Sequence, residues 1–141
     1  MNNRQILMAD DDADDRFLVQ AAFEDSNIIN PVIFFEDGEQ LLNHLTDGSS
    51  EVSPLLILLD LNMPKVDGRE VLKMLRNNAL WNTIPIIIFS TSNSPRDINT
   101  AYELGANCYI IKPSSYEGLK EVVMNIQKFW LQTAILPDFK S

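Results

Sequence analysis

The chain alternates short apolar runs with longer stretches in which apolar residues recur every three or four positions, and the alternation repeats about five times. The short runs predict strands at Gln5 to Ala9, Pro31 to Phe35, Leu55 to Leu59, Ile86 to Phe89 and Cys108 to Ile111. Two of them, Leu55-Leu56-Ile57-Leu58-Leu59 and Ile86-Ile87-Ile88-Phe89, carry no polar alternation. Both faces of such strands must be covered, which places them centrally in a parallel sheet. The periodic stretches predict helices at about Ala13 to Glu24, Gly38 to Leu45, Gly68 to Asn78, Pro95 to Leu104 and Tyr116 to Leu131. In the last, Leu119, Val122, Val123, Ile126 and Trp130 form one apolar stripe. Gly105 follows Leu104 where a left-handed residue would end the fourth helix. Five βα units joined by right-handed crossovers give an α/β fold, a doubly wound five-stranded parallel sheet whose common strand order is 2-1-3-4-5.

With 141 residues, 45% of them hydrophobic, the chain is expected to form a single domain over 1–141, its core spanning about 5–131. The net charge of -9 argues against nucleic acid as a partner, because a phosphate backbone would be repelled. No apolar stretch approaches the length that crosses a bilayer and no signal-peptide core is visible, so the expected location is the cytoplasm, without membrane attachment. The single cysteine, Cys108, lies in an apolar run and reads as a packed thiol. The single histidine, His44, has polar neighbours and is expected to face solvent.

Chemistry enters with "MADDDADD", which puts five carboxylates into the six residues from Asp10 to Asp15. Alone, such a cluster reads as a solvated helix start. Asp60, which ends a wholly apolar strand, changes that reading, because a buried acid is costly unless it is used. Ligands of open α/β sheets sit beyond the carboxyl ends of the strands where the strand order reverses, here between the first and third. Asp10 and Asp11 therefore converge with Asp60. The acidic pair is either Asp10 and Asp11 or Asp11 and Asp12, and the length of the preceding apolar run favours the first. Asp12, Asp14 and Asp15 then sit at the first helix start, where negative charge complements the helix dipole. A hard divalent cation such as Mg²⁺ would relieve the repulsion. The fourth and fifth strands deliver Ser90-Thr91-Ser92 and Lys112-Pro113 to the same edge. A cation, an ammonium and a hydroxyl facing a carboxylate suit a phosphoryl group, with the carboxylate as nucleophile.

The acidic pair after the first strand, "LLDLNMPKVDG" around the third, Ser90 after the fourth and "CYIIKP" at the fifth together resemble the receiver domain of two-component response regulators, over nearly the whole chain from about Gln5 to Leu131. The resemblance implies a flavodoxin-like fold. It also implies that Asp60 is the phosphoacceptor, that Asp11 ligates Mg²⁺ directly and Asp10 through water, and that Asn62 offers its backbone carbonyl. Ser90 would be the switch hydroxyl, Lys112 the partner of the phosphoryl group and Tyr109 an aromatic switch. Asn62 and Ser92 match positions that tune phosphoryl lifetime.

The implied partners are a sensor histidine kinase or histidine phosphotransfer protein and a downstream protein target. The protein would be a signalling device that catalyses its own phosphorylation and dephosphorylation rather than a metabolic enzyme. No output domain is seen after the last helix, so output is expected through protein contact or onward relay. "FWLQTAILP" is similar to the extended last helix and tail of single-domain regulators that pair with bacterial phytochrome-type kinases. It assigns 132–141 to homodimerisation or partner binding, together with the fourth helix, fifth strand and fifth helix. Two rivals fit less well. A haloacid dehalogenase phosphatase would need a second Asp where Asn62 stands, and a flavodoxin-like binding module would cradle phosphate with Ser, Thr and Gly rather than with an acidic loop.

Overall fold

Strands and helices alternate along the computed structural model, which describes residues 4–47 and 54–137. The strands are β1 (Gln5–Ala9), β2 (Val32–Phe35), β3 (Pro54–Leu59), β4 (Ile86–Ser90) and β5 (Cys108–Ile111). The helices are α1 (Ala13–Asp25), α2 (Gly38–Thr46), α3 (Gly68–Arg76), α4 (Pro95–Glu103) and α5 (Tyr116–Ile126), the last continuing as a π-helical segment, Gln127–Thr133. All strand pairs are parallel and the order is β2-β1-β3-β4-β5, the doubly wound arrangement expected from the sequence.

Successive strand residues point to opposite faces, and the two cores divide accordingly. Leu7, Ile57, Leu59, Ile86 and Ile88 pack with Leu41 of α2, Leu72 of α3 and Ala101 of α4. Ile6, Met8, Leu56, Leu58 and Phe89 pack with Val19 and Phe23 of α1 and with Leu119 and Val123 of α5. The central strands β3 and β4 are buried at every position, whereas β5, at the edge, is only half-buried. Each helix starts at a side-chain cap: Asp12, Asp37, Asp67, Ser94 and Ser115 accept backbone N–H groups of the first turn. Caps of this kind contribute about 1 kcal/mol each and set where each loop hands over to its helix.

Two helix ends depart from the periodicity by more than one residue. α3 stops at Arg76 rather than Asn78, because the following loop folds around the Arg76 side chain, which donates to the carbonyls of Asn82, Ile84 and Gly105 and to Asn107 Oδ1. Gly105 sits at φ 111°, a positive φ as expected for the residue that ends α4. The last helix widens at Gln127, where Ala134 N–H bonds Phe129 O five residues back. Trp130 and Leu131, neighbours in sequence, both pack against the α1/α5 core, and an ordinary α-helical step would separate them by about 100°. Leu136 also packs there, and Arg4 Nη2 donates to Pro137 O at 2.6 Å and to Pro54 O at 3.1 Å. Up to Pro137 the tail therefore lies on its own fold, leaving Phe129 and Ile135 exposed. The outermost part of the tail expected to mediate association, 138–141, lies outside the described residues, as does 1–3.

Candidate functional site

The strand register brings the acids together before any side chain is considered. Ala9 pairs with Leu59 and Asp60 N–H bonds Ala9 O at 3.0 Å, so Asp10 and Asp60 follow side by side as β1 and β3 leave the sheet. Ser90 pairs with Ile111, and Lys112 N–H bonds Ser90 O at 2.8 Å, which carries the hydroxyl and the lysine to the same edge. Asp10, Asp60 and Ser90 are buried. Asp11 is exposed. Asp10, Asp11 and Asp60 each offer a carboxylate oxygen within 4.8 Å of the others. Asp12 is occupied as the α1 cap, its Oδ1 accepting from Asp14 N–H at 2.8 Å and Asp15 N–H at 3.2 Å. The geometry thus groups the first of the two candidate pairs with Asp60.

Lys112 spans the cluster. Its Nζ lies 2.7 Å from Asp10 Oδ2, 2.8 Å from Asp15 Oδ2 and 3.7 Å from Asp60 Oδ2, and 5.9 Å from the centre of the Phe89 ring. Burial on its own would make the ammonium easier to deprotonate, but its bonds to Asp10 and Asp15 hold it well above its ordinary range. Asp60 moves the other way for an acid. Burial, with the charges of Asp10 and Asp11 adding to it and Lys112 opposing it, raises its carboxyl to about 6. Burial likewise raises Asp10, against the pull of Lys112. Asp10 Oδ2 is fully buried, with the Lys112 ammonium at 2.7 Å as its partner. Three carboxylates whose oxygens lie within 4.8 Å of one another make an all-oxygen donor set that fits a hard divalent cation.

The remaining predicted residues surround this centre. Asn62 is exposed, and its backbone N–H approaches Asp60 Oδ1 only at 3.5 Å. Ser90 Oγ accepts from Ser92 N–H at 3.2 Å. Tyr109 is half-buried, with its hydroxyl donating to Ser92 O at 2.9 Å. Cys108 is half-buried, and burial raises its thiol, in keeping with a packed residue. His44 corrects an expectation: it is half-buried, its ring 5.1 Å from that of Phe35 and its Nε2 3.1 Å from Gln5 Oε1. It caps the edge of the core because α2 turns that side toward β1 and β2.

Three residues that sequence reasoning did not assign to the site contact it. Asp15 does so through Lys112. Arg16 donates to Asp10 O at 2.7 Å, fixing the end of β1. Asp97, at the start of α4, receives the Ser92 hydroxyl. Among the described residues no helix is long and apolar enough to cross a membrane.

Comparison with known proteins bears on the fold and the family. A family model described as the response regulator receiver domain matches residues 6–124. Response regulator Rcp1 of Synechocystis sp. is 40% identical over 135 residues, which cover 94% of this chain and 92% of that protein. The crystal structure of the phosphorylated cyanobacterial phytochrome response regulator RcpA superposes with a TM-score of 0.89 at 37% identity, covering 96% of this chain and 99% of that one. The Mn²⁺-bound form of Rcp1 superposes at 0.85, also at 37% identity, covering 95% and 99%.

Proposed function

The chain belongs to the response regulator receiver family, and from that premise we propose that it accepts a phosphoryl group on Asp60 from the histidine of a sensor kinase or histidine phosphotransfer protein. An oxygen of the Asp60 carboxylate attacks phosphorus in line as the nitrogen–phosphorus bond breaks; the imidazole leaves with the electron pair and takes up a proton. Lys112, held 3.7 Å from Asp60 Oδ2, offsets charge on the incoming oxygens, and the Ser90 hydroxyl donates to one of them. Mg²⁺, when bound by Asp10, Asp11, Asp60 and the Asn62 carbonyl, with Asp10 acting mainly through water, supplies further neutralisation of that charge. The same residues admit water afterwards and return Asp60 to its carboxylate, with Asn62 and Ser92 tuning how fast. The protein is then a self-modifying signalling component and not a metabolic catalyst.

One observation carries this reading: three carboxylates with oxygens within 4.8 Å of one another at the carboxyl edge of β1 and β3, bridged by a lysine from beyond β5. Likeness to RcpA supports a phytochrome-type kinase as the phosphodonor, and likeness to Mn²⁺-bound Rcp1 supports the metal. The core over about 5–131 acts as one receiver, with 132–141 as its tail. Phosphorylation draws Ser90 toward the new oxygens and shifts the populations of Tyr109, so that the face of α4, β5, α5 and the tail changes its affinity for a downstream protein or a second copy.

Incubation with a small acyl phosphate and Mg²⁺ is expected to add one phosphoryl group by intact-mass measurement, and Asp60→Asn to take none; equal labelling of the two would overturn the assignment. Mg²⁺ at ten times its dissociation constant should stabilise the native state by about 1.4 kcal/mol, a rise in melting temperature of roughly 3–6 °C. Asp11→Asn should remove most of that rise.

A further inference from the structure

Ser92 is held at three separate atoms. Its N–H donates to Ser90 Oγ at 3.2 Å, its hydroxyl donates to Asp97 Oδ2 at 2.7 Å, and its carbonyl accepts the Tyr109 hydroxyl at 2.9 Å. The same hydroxyl oxygen accepts Ser94 N–H at 3.2 Å. The other oxygen of Asp97 takes Arg69 Nη2 at 3.1 Å, so α3, the β4–α4 loop, α4 and β5 meet around one serine. The Ser92 hydroxyl and the Arg69 guanidinium hold the Asp97 carboxyl below the usual carboxylate range. A carboxylate accepting a hydroxyl at this distance makes a charge-assisted bond, stronger than the neutral contacts on the rest of the loop.

We infer that Asp97 is a positioning residue for the phosphoryl reaction: by fixing Ser92 it orients the Ser90 hydroxyl toward the phosphoryl group and the Ser92 carbonyl toward Tyr109. The inference rests on Asp60 being the phosphoacceptor. An N–H lodged against one lone pair of Ser90 Oγ leaves the Ser90 proton directed elsewhere, which is the orientation a donor to a phosphoryl oxygen requires. The firmness of that N–H depends on Ser92, and Ser92 depends on Asp97. When the phosphoryl group is lost, water oxygen bonds to phosphorus, the bond from phosphorus to the Asp60 oxygen breaks, and the water proton leaves with inorganic phosphate. Ser90 donates to a phosphoryl oxygen in that transition state as it does in the forward transfer, so a poorly oriented Ser90 supports the step less well and freeing Ser92 slows the loss.

The test combines two measurements on the full chain. Hydrogen exchange on the metal-free protein should show the Ser92 amide losing protection in Asp97→Ala while the β4 amides keep theirs. Decay of the phosphorylated protein should then be slower by about threefold or more in Asp97→Ala and in Ser92→Ala, with the double variant no slower than either. Asp97→Asn keeps an oxygen for the Ser92 hydroxyl and should decay close to the unsubstituted rate. A role confined to the Arg69 ion pair would instead make Asp97→Asn resemble Asp97→Ala and would leave the effect of Asp97→Ala intact in the Ser92→Ala background; either result overturns the inference. Equal decay of all variants overturns it as well, while leaving Asp60 as phosphoacceptor. Failure of the unsubstituted chain to take any phosphoryl group overturns both.

Discussion

Asp60 is poised between two demands. As the proposed nucleophile it must be ionised, and as a buried carboxyl beside two other acids it resists ionisation, with its carboxyl at about 6 against 3.8 in the unfolded chain. The sign of the pH effect follows from that difference. Between these values the folded protein keeps a proton that the unfolded chain has released, so stability falls as pH rises from 3.8 through about 6. Above that window the charged group remains a net cost until a cation binds. Asp60→Asn, in buffer with a chelator, is therefore expected to melt higher than the unsubstituted protein at about pH 7.5, with the gain shrinking toward about pH 4.5. A difference that stayed constant across thermal scans would contradict the electrostatic picture. Asp60 could be read from the sequence because an acid ending an apolar strand stands out. Asp15 could not: its partner Lys112 lies 97 residues away, and nothing in a run of helix-start acids says which one turns inward.

At the scale of elements, the site depends on how closely α3 approaches the end of β3. Gly68 opens α3, and a methyl group there would overlap the Asp60 carbonyl oxygen and lie 2.7 Å from Leu61 Cα. Backbone, unlike a side-chain tip, has no easy way to yield. Gly68→Ala should cost about 2 kcal/mol in urea unfolding, in line with overpacked interiors. It should also weaken Mg²⁺ binding, measured as a smaller thermal shift, because the backbone that moves carries Asp60. Unchanged Mg²⁺ affinity together with lost stability would show that the metal ligands tolerate the displacement. Strand positions and helix starts were legible because apolar runs and capping residues act locally. The end of α3 was not, because it is set by Arg76 reaching Gly105 O, 29 residues on. The π-helical turn after α5 was hidden for the same reason: Trp130 continues the α-helical stripe, and that Leu131 packs on the same core shows only once the fold is known.

For the whole molecule, the tail and the net charge pull in opposite directions. Leu136 packs on the α1/α5 core while its neighbour Ile135 is 97% exposed, so adjacent apolar residues divide between holding the fold and facing solvent. Leu136→Ala should lower stability by about 1 kcal/mol, less than a fully buried leucine would. Ile135→Ser should leave it within about 0.5 kcal/mol. Ile111 of β5 and Tyr102 of α4 are close to half exposed as well, and we propose that exposed apolar groups of this kind support self-association. Two copies at -9 each repel, and the repulsion is screened by salt while apolar burial is not. The weight-average mass by light scattering is therefore expected to rise as salt increases from about 0.05 M to about 0.5 M, where the screening length falls to a few ångströms. Ile135→Ser should lower the mass at every salt concentration, with the melting temperature unchanged. A monomer throughout, for both proteins, would confine the tail to packing on its own domain and leave the signal to be read by a different partner.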